Sequence, residues 1–375
     1  MCDKQEVSID LLLSKFQDYL QNRTTLPKIA QEMGIKPAKL RDTIRLAYLE
    51  GAITIQTPEV RSLRDKLNEN WPGPRYHVLR ADDHRFFFKG AATVFLRELD
   101  DVLTQREADP VLNVGIVSGR TTGGVVDSLC SLDWSKYLRR ERFPPRVNVF
   151  ALNVSQTSGF TELSGNANVL AFQLARKFAD ECSTGAKIEA FGLSTELLQT
   201  LDERTNSDIR PQTRNVLMYT NPERLRRSLE LRGEQISSEV PSESQLDVII
   251  TGVGTICDSL FRDYCSYYKV NIDYLRNVQH IVGDIAYCPV TRVGEHRQLS
   301  KNDSEYQFYS AVSLDVLGQI SSQKTKKVIL VARNAPERDK VDPIHAAIAG
   351  ATQYCNVLIT DHETADKLHK TMALG

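Results

Sequence analysis

No run of 18 apolar residues occurs anywhere in this chain, so no segment is long enough to cross a bilayer as a helix. The first residues, MCDKQEVSID, lack the apolar core of a secretory leader, and a cytoplasmic protein without a membrane partner is expected. Neither sign of charge dominates. With 47 Lys and Arg against 48 Asp and Glu, no global field draws the chain to nucleic acid, and any such contact must be local. The cysteines (Cys2, Cys130, Cys182, Cys257, Cys265, Cys288 and Cys355) are odd in number and contain no CxxC pair. They read as buried thiols in a reducing compartment rather than a disulfide frame or a zinc site. The histidines show neither HxH nor HxxxH spacing, so no metal is expected, and no motif asks for a cofactor. A P-loop is excluded because no GK[ST] follows a glycine-rich turn, and the dinucleotide GxGxxG is missing as well.

What is present centres on Val111 to Leu129, VLNVGIVSGRTTGGVVDSL. The apolar, β-branched run Val111, Leu112, Val114, Ile116 and Val117 predicts a buried strand. It breaks at Ser118-Gly119-Arg120-Thr121-Thr122-Gly123-Gly124 and resumes as a helix with Val125, Val126 and Leu129 on one side. A strand feeding a glycine-rich turn and a helix N-terminus exposes backbone N–H groups and the positive end of the helix dipole, which suits an anion. Three hydroxyls and a guanidinium in the same turn favour phosphate, although a tight strand-to-helix connection alone would also use Gly and Thr.

The 375 residues have room for two or three domains. In the first sixty, Ile9, Leu12, Leu13, Phe16 and Leu20 predict one helix. Thr25 can cap a second, LPKIAQEM. Gly34 then supplies a turn, and a third helix runs from about Lys36 to Glu50. This is a helix-turn-helix pattern, and Ala52–Ile55 alternates like the strand of a small wing. Lys36, Lys39, Arg41 and Arg45 are the cations that could reach phosphates or base edges of operator DNA. Asp42 lies among them, where it repels phosphate unless it accepts from cytosine. A small helical domain serving only dimerisation or protein contact would share this pattern.

A charged helix over Glu59–Glu69 ends at Trp71-Pro72-Gly73-Pro74. The resulting division is residues 1–57 for DNA binding, 58–74 as a linker helix and 75–375 as an effector and oligomerisation domain. From Arg75 onward strands and helices alternate, the signature of an α/β sheet covered on both faces. Strands are expected at Arg75–Leu79, Val147–Leu152, Lys187–Phe191, Val216–Tyr219, Leu246–Ile250, Lys327–Val331 and Asn356–Ile359, with helices at Phe88–Leu103, Val169–Phe178 and Pro343–Ala351. Glu203–Ser242 is polar, with clustered Arg224, Arg226 and Arg227, and reads as one flanking helix and a loop. Val290–Gln307 reads as a charged hairpin or excursion. Ligands in open α/β sheets sit beyond the carboxyl ends of the strands. Polar loops at 118–124, 153–166, 251–255 and 332–340 fall there, so one pocket should gather Thr121, Thr122, Asn153, Asn166, Gly252 and Lys340.

IAQEMGI, VGIVSGRTTGGVVDSL, FALNVSQ with GNAN, TGVG, VGDI, and VILVARNAPERDKVDPIHAAI followed by NVLITDHETADKL together resemble the SorC family of sugar-responsive bacterial transcription regulators. The resemblance runs from about Leu11 to Leu368. It implies an N-terminal, winged helix-turn-helix joined to a Rossmann-like effector domain of ribose-phosphate-isomerase and CoA-transferase-like fold. It also implies a phosphorylated sugar effector, operator DNA as partner, and a homodimer or homotetramer. The family's phosphate-holding turn matches Gly119, Arg120, Thr121 and Thr122. Its polar loop matches Asn153 and Asn166, and the sheet end near VGDI matches Gly283 and Asp284. The lysine before the late helix matches Lys340, with Arg338 as a rival. Val154-Ser155 and Arg333-Asn334 stand where the family carries glycines, which implies a narrower pocket or a different ligand. Asn153 rules out a Schiff base at that position. Two other readings share these residues: a sugar-phosphate isomerase or deaminase working through Asp284, and a sensor acting through protein contacts without specific DNA binding.

Overall fold

Strands made of consecutive Val, Ile and Leu can be stable only where both faces of their sheet are covered. The computed structural model describes residues 25–49, 59–81, 83–106, 109–153, 165–182, 185–193, 211–257, 262, 265–266, 271–291, 310–334 and 339–372. The expected helix over Ile9–Leu20, the wing strand at Ala52–Ile55, most of the Val290–Gln307 excursion, and Arg338 lie outside the described residues. Contacts divide the chain into two compact units after Thr57, with Ser131–Asp133 grouped with the first.

In the first unit α1 (Leu26–Glu32) and α2 (Pro37–Leu49) are joined by a turn at Gly34, whose φ is +64°. The turn closes through Gly34 N–H to Gln31 O and Ile35 N–H to Ala30 O. Ile29, Ala30 and Leu40 are fully buried, and the small Ala30 sits among the contacts that pack the pair. Thr25 occupies the N-cap position in extended backbone, but its hydroxyl makes no capping bond.

The second unit begins with α3 (Arg61–Asn70), β1 (Arg75–Leu79) and the long α4 (His84–Gln105), followed by β2 (Val111–Ile116) and α5 (Arg120–Ser131). Next come β3 (Arg146–Ala151), α6 (Ala167–Glu181) and β4 (Lys187–Phe191), then α7 (Pro211–Thr220) and α8 (Pro222–Leu231). The chain continues through β5 (Val248–Thr251), β6 (Val253–Thr255), α9 (Ile272–Asn277), β7 (Ile281–Ile285) and β8 (Cys288–Thr291). It ends with α10 (Leu314–Ser321), β9 (Lys327–Ala332), α11 (Val341–Ile348), β10 (Val357–Asp361) and α12 (His362–Met372).

Among the described residues seven strands form one parallel sheet in the order β1-β10-β9-β5-β2-β3-β4, while β6, β7 and β8 make a small antiparallel sheet. The two-residue period of a strand sorts its side chains between the faces. Phe150, Ile249, Val328, Leu330 and Leu358 share one core with Leu67, Val216, Leu225, Leu317, Ile344 and Leu368 from the helices. Their neighbours Val149, Ile250, Ile329, Val331 and Ile359, equally buried, face the side covered by α4 and α6. Polar residues inside these strands are paired across the sheet's amino-terminal end. Arg106 donates to Asp247 at 2.6 Å, the Asn113 N–H to the same carboxylate at 2.8 Å, and Asn148 to the Asn113 side chain at 2.9 Å.

Three expectations are corrected. Val216–Tyr219 is not a strand but the end of α7, where Thr213, Val216, Leu217 and Thr220 recur as one buried helical face. A short apolar run does not by itself distinguish the two periods. Glu203–Ser242 holds two described helices rather than one, because Asn221 caps a new helix at Pro222. Arg224 and Arg226 there donate to backbone carbonyls of Ser310 and Val240, and Arg227 pairs with Glu223. The segment after Gly252, expected as loop, enters the small sheet as β6. Four cysteines (182, 265, 288 and 355) are buried, but Cys130 and Cys257 are exposed.

Candidate functional site

The order of the parallel sheet reverses direction between β2 and β5: β3 and β4 lie to one side of this pair, β9, β10 and β1 to the other. Connections leaving the two strands diverge at such a point and open a crevice at their carboxyl ends. A cavity of about 570 Å³, counted with its open mouth, occupies that position. It is lined by Val117 to Thr122 after β2, by Gly252 to Gly254 after β5, by Asp284, Ala286 and Tyr287 of the small sheet, and by Lys340.

The turn after β2 follows from its residues. Gly119 has φ +149°, a region that other residues avoid, and its N–H donates to Gly165 O at 2.9 Å. Gly123 N–H then returns to Gly119 O at 2.8 Å and starts α5, so the first turn of a 12-residue helix, with its early amides unused by the helix, borders the cavity. Arg120 is exposed at the mouth and Thr121 half-buried. Thr122 is fully buried, and its hydroxyl has no hydrogen-bond partner among the described residues. A buried hydroxyl left unsatisfied costs about 1–3 kcal/mol, and a ligand acceptor at this point would remove that cost.

Opposite the turn, Lys340 is 7% exposed and stands at the N-cap of α11, its own N–H held by Asn334 Oδ1 at 2.7 Å. Asp284 is 5% exposed and accepts from Tyr287 N–H at 2.9 Å. Its carboxylate lies over Gly254, where an added Cβ would fall 2.0 Å from Oδ1, so only glycine leaves room for it. The Tyr287 N–H bond to the Asp284 carboxylate holds the two-residue turn of the β7–β8 hairpin, in which Ala286 (φ 54°) and Tyr287 (φ 61°) are both left-handed. Neither is the Gly, Asn or Asp that such a turn favours, so the rim of the cavity carries backbone strain. Burial first, and then the nearby Asp284 carboxylate, push the Cys265 and Cys288 thiols up to about 12, which leaves both unreactive.

The structure brings seven of the nine expected residues to this one cavity: Gly119, Arg120, Thr121, Thr122, Gly252, Asp284 and Lys340. Asn153 and Asn166 do not line it. Asn153 is fully buried; its Oδ1 accepts from Ser118 N–H at 2.8 Å and its Nδ2 donates to Ser118 Oγ at 2.6 Å. Ser118 Oγ in turn reaches Tyr287 Oη at 3.3 Å, so Asn153 stands one residue behind the surface. Asn166 caps α6, accepting from the N–H groups of Asn168 and Val169. Sequence reasoning placed Ser118 in the turn without singling it out, and missed Gly254, Ala286 and Tyr287. Gly254 was within reach in the motif TGVG, but a left-handed turn built from Ala and Tyr leaves no signal. In the first unit Lys36, Lys39 and Arg41 are exposed, as is Asp42, while Arg45 is half-buried on α2.

No family model matches this sequence, and no curated protein matches it. Solved structures do match. The full-length sorbitol operon regulator SorC from Klebsiella pneumoniae superposes with a TM-score of 0.50 at 21% identity, over 96% of this chain and 99% of that one. A transcriptional regulator from Streptococcus pneumoniae TIGR4 does so with a TM-score of 0.51 at 17% identity, over 84% of this chain and 97% of that one. The chain has the fold of these regulators.

Proposed function

We propose that the chain is a sugar-responsive transcription regulator whose affinity for operator DNA is set by a phosphorylated sugar in the cavity between β2 and β5. The observation that carries this reading is the buried Thr122 hydroxyl, unpartnered among the described residues, at a helix N-terminus that lines one cavity with Lys340. Phosphate sits on the N–H groups and hydroxyls of Gly119–Thr122, where helix amides and the macrodipole favour negative charge. Arg120 and Lys340 offset that charge, and Asp284 with the Gly252 backbone meets the sugar hydroxyls. Asn153 acts through Ser118, and Asn166 by holding the start of α6.

The α1–α2 unit is the DNA reader, with Lys36, Lys39, Arg41 and Arg45 supplying phosphate and base contacts. A two-fold operator requires at least a homodimer. The fold supports this reading, since the neighbours named above regulate transcription and one of them regulates a sorbitol operon. An enzyme on the same fold would need Asp284 free to move a proton, whereas one of its oxygens already holds the Tyr287 amide.

Capture of fragmented genomic DNA by the purified protein, with and without a pool of sugar phosphates, tests the proposal. A few palindromic fragments should be retained at moderate salt, lost at high salt, and altered in yield by the pool. If no fragment is enriched over bulk DNA while the pool still raises the melting temperature, the cavity assignment stands and the DNA role falls.

A further inference from the structure

Two helices begin beside the cavity and end on α3. The first is α11. Lys340, which lines the cavity, is its N-cap, and His345 lies five residues on, about 7.5 Å along the axis. The His345 ring meets the indole of Trp71, the C-cap of α3, edge to face with centroids 5.4 Å apart. Pro343 between them packs so tightly on Gly283 that a Cβ there would lie 2.9 Å from its ring, which joins α11 to the strand bearing Asp284. The second helix is α12. Its first turn is tied to the same cavity edge through Asn334, whose N–H donates to Thr364 Oγ1 at 2.8 Å while its side chain accepts the Lys340 N–H. At the other end of α12, His369 Nδ1 is 3.1 Å from Asn70 Nδ2, on the last residue of α3.

The residues that follow α3 are held in the same way. Gln353, just past α11, donates to Pro72 O at 3.0 Å, and Tyr76 Oη donates to Trp71 O at 2.7 Å. The carboxyl end of α3 is thus fixed by contacts from both cavity-edge helices, and its amino end follows directly on the chain that leaves the first unit after Thr57.

We infer that His345 and Trp71 are positioning residues that couple the occupied cavity to α3, and through α3 to the chain entering the first unit. A ligand anion drawn onto Lys340 pulls the N-terminus of α11 toward the β2 turn. Because α11 is short and pinned at Pro343, its far end moves with it, and the His345 ring carries that displacement to Trp71. A ligand shifts such an element only by as much as it prefers one of its two positions, so the ring contact must differ between the empty and the filled cavity. The inference rests on the cavity being a phosphate-ester site, as proposed above.

Amide hydrogen exchange of the whole chain tests it, with fructose 6-phosphate as the probe and inorganic phosphate as the minimal probe, binding being measured in parallel by calorimetry. At saturation the ester should slow exchange across Arg61–Trp71 severalfold in the unaltered protein. His345→Ala should bind the ester within about twofold of the original affinity and lose that ligand-dependent slowing. His345→Phe, which keeps a ring against Trp71, should restore it. A merely structural role for His345 would loosen α3 equally with and without ligand. Binding with no change at Arg61–Trp71, or slowing that survives His345→Ala, overturns the inference and leaves the cavity assignment standing. If neither probe binds, the cavity assignment falls and the coupling with it.

Discussion

Thr122 faces two demands that oppose each other at a single side chain. With no partner among the described residues, its buried hydroxyl weakens the empty protein, and a hydrogen bond to the charged acceptor proposed above would be worth about 1.5–3 kcal/mol. Thr122→Val removes the hydroxyl and keeps the shape. The expected outcome is a split: midpoints of urea unfolding without ligand hold or rise, while affinity for a phosphate ester falls by about 10- to 100-fold in calorimetry. Equal affinity in the variant would remove Thr122 from the site. The neighbouring Gly254 makes a complementary point, because the carboxylate over it occupies the space that any side chain would need.

At the scale of elements, the cavity depends on helices being started in the right place. Asn166 is the side chain on which α6 begins, satisfying two of its early amides. Asn166→Ala should lower the free energy of unfolding by about 1 kcal/mol, the usual cost of losing such a cap, and leave ester affinity unchanged. A fall in affinity beyond that stability loss would place Asn166 in direct contact with ligand. The β7–β8 hairpin has the opposite character. It is held in a strained left-handed turn by Asp284, so the same carboxylate that borders the cavity also keeps its rim closed.

Across the whole second unit, β1 is joined to α4 and to Glu59, two residues ahead of α3, by one cluster of charges. His77 Nδ1 lies 3.0 Å from Glu59 and Nε2 lies 3.2 Å from Glu98, which also accepts from Arg75 at 2.8 Å. Burial alone would lower the His77 pKa, but hydrogen bonds and charge from Glu59 and Glu98 outweigh it and raise the net value. The Glu59 carboxyl is held down by its hydrogen bond to His77, and Glu98, despite burial, by His77 and Arg75. A raised histidine stabilises fully below its unfolded value of 6.5 and loses that contribution as pH rises through the folded value. The lowered carboxyls stabilise above their unfolded 4.5 and lose that contribution as pH falls through their folded values. The cluster therefore contributes most between those two limits. His77→Gln should lose less stability than the original protein on moving from about pH 6 to about pH 8 in urea unfolding; an unchanged difference would mean that the imidazole is neutral throughout.

Local residue chemistry determined a good deal of this protein. The strands at Arg75–Leu79 and Val111–Ile116 and the 3.6-residue burial along α4 were legible, and the Ser118–Gly124 turn announced a glycine-rich strand-to-helix start. Those features depend on neighbours within a few positions, so a linear reading reaches them. It failed at Val216–Tyr219, where four apolar or hydroxylic residues suit either period and packing against the sheet made the choice. What only the tertiary structure decided was long-range. Sheet order set β5 beside β2 and so brought Gly252 to Thr122, and the hairpin laid Asp284 across Gly254. Register and burial turned Asn153 away from the cavity and toward Ser118. The Trp71–His345 contact joins residues 274 positions apart, and no local pattern encodes it because only the packing of α11 on the end of α3 brings the rings together.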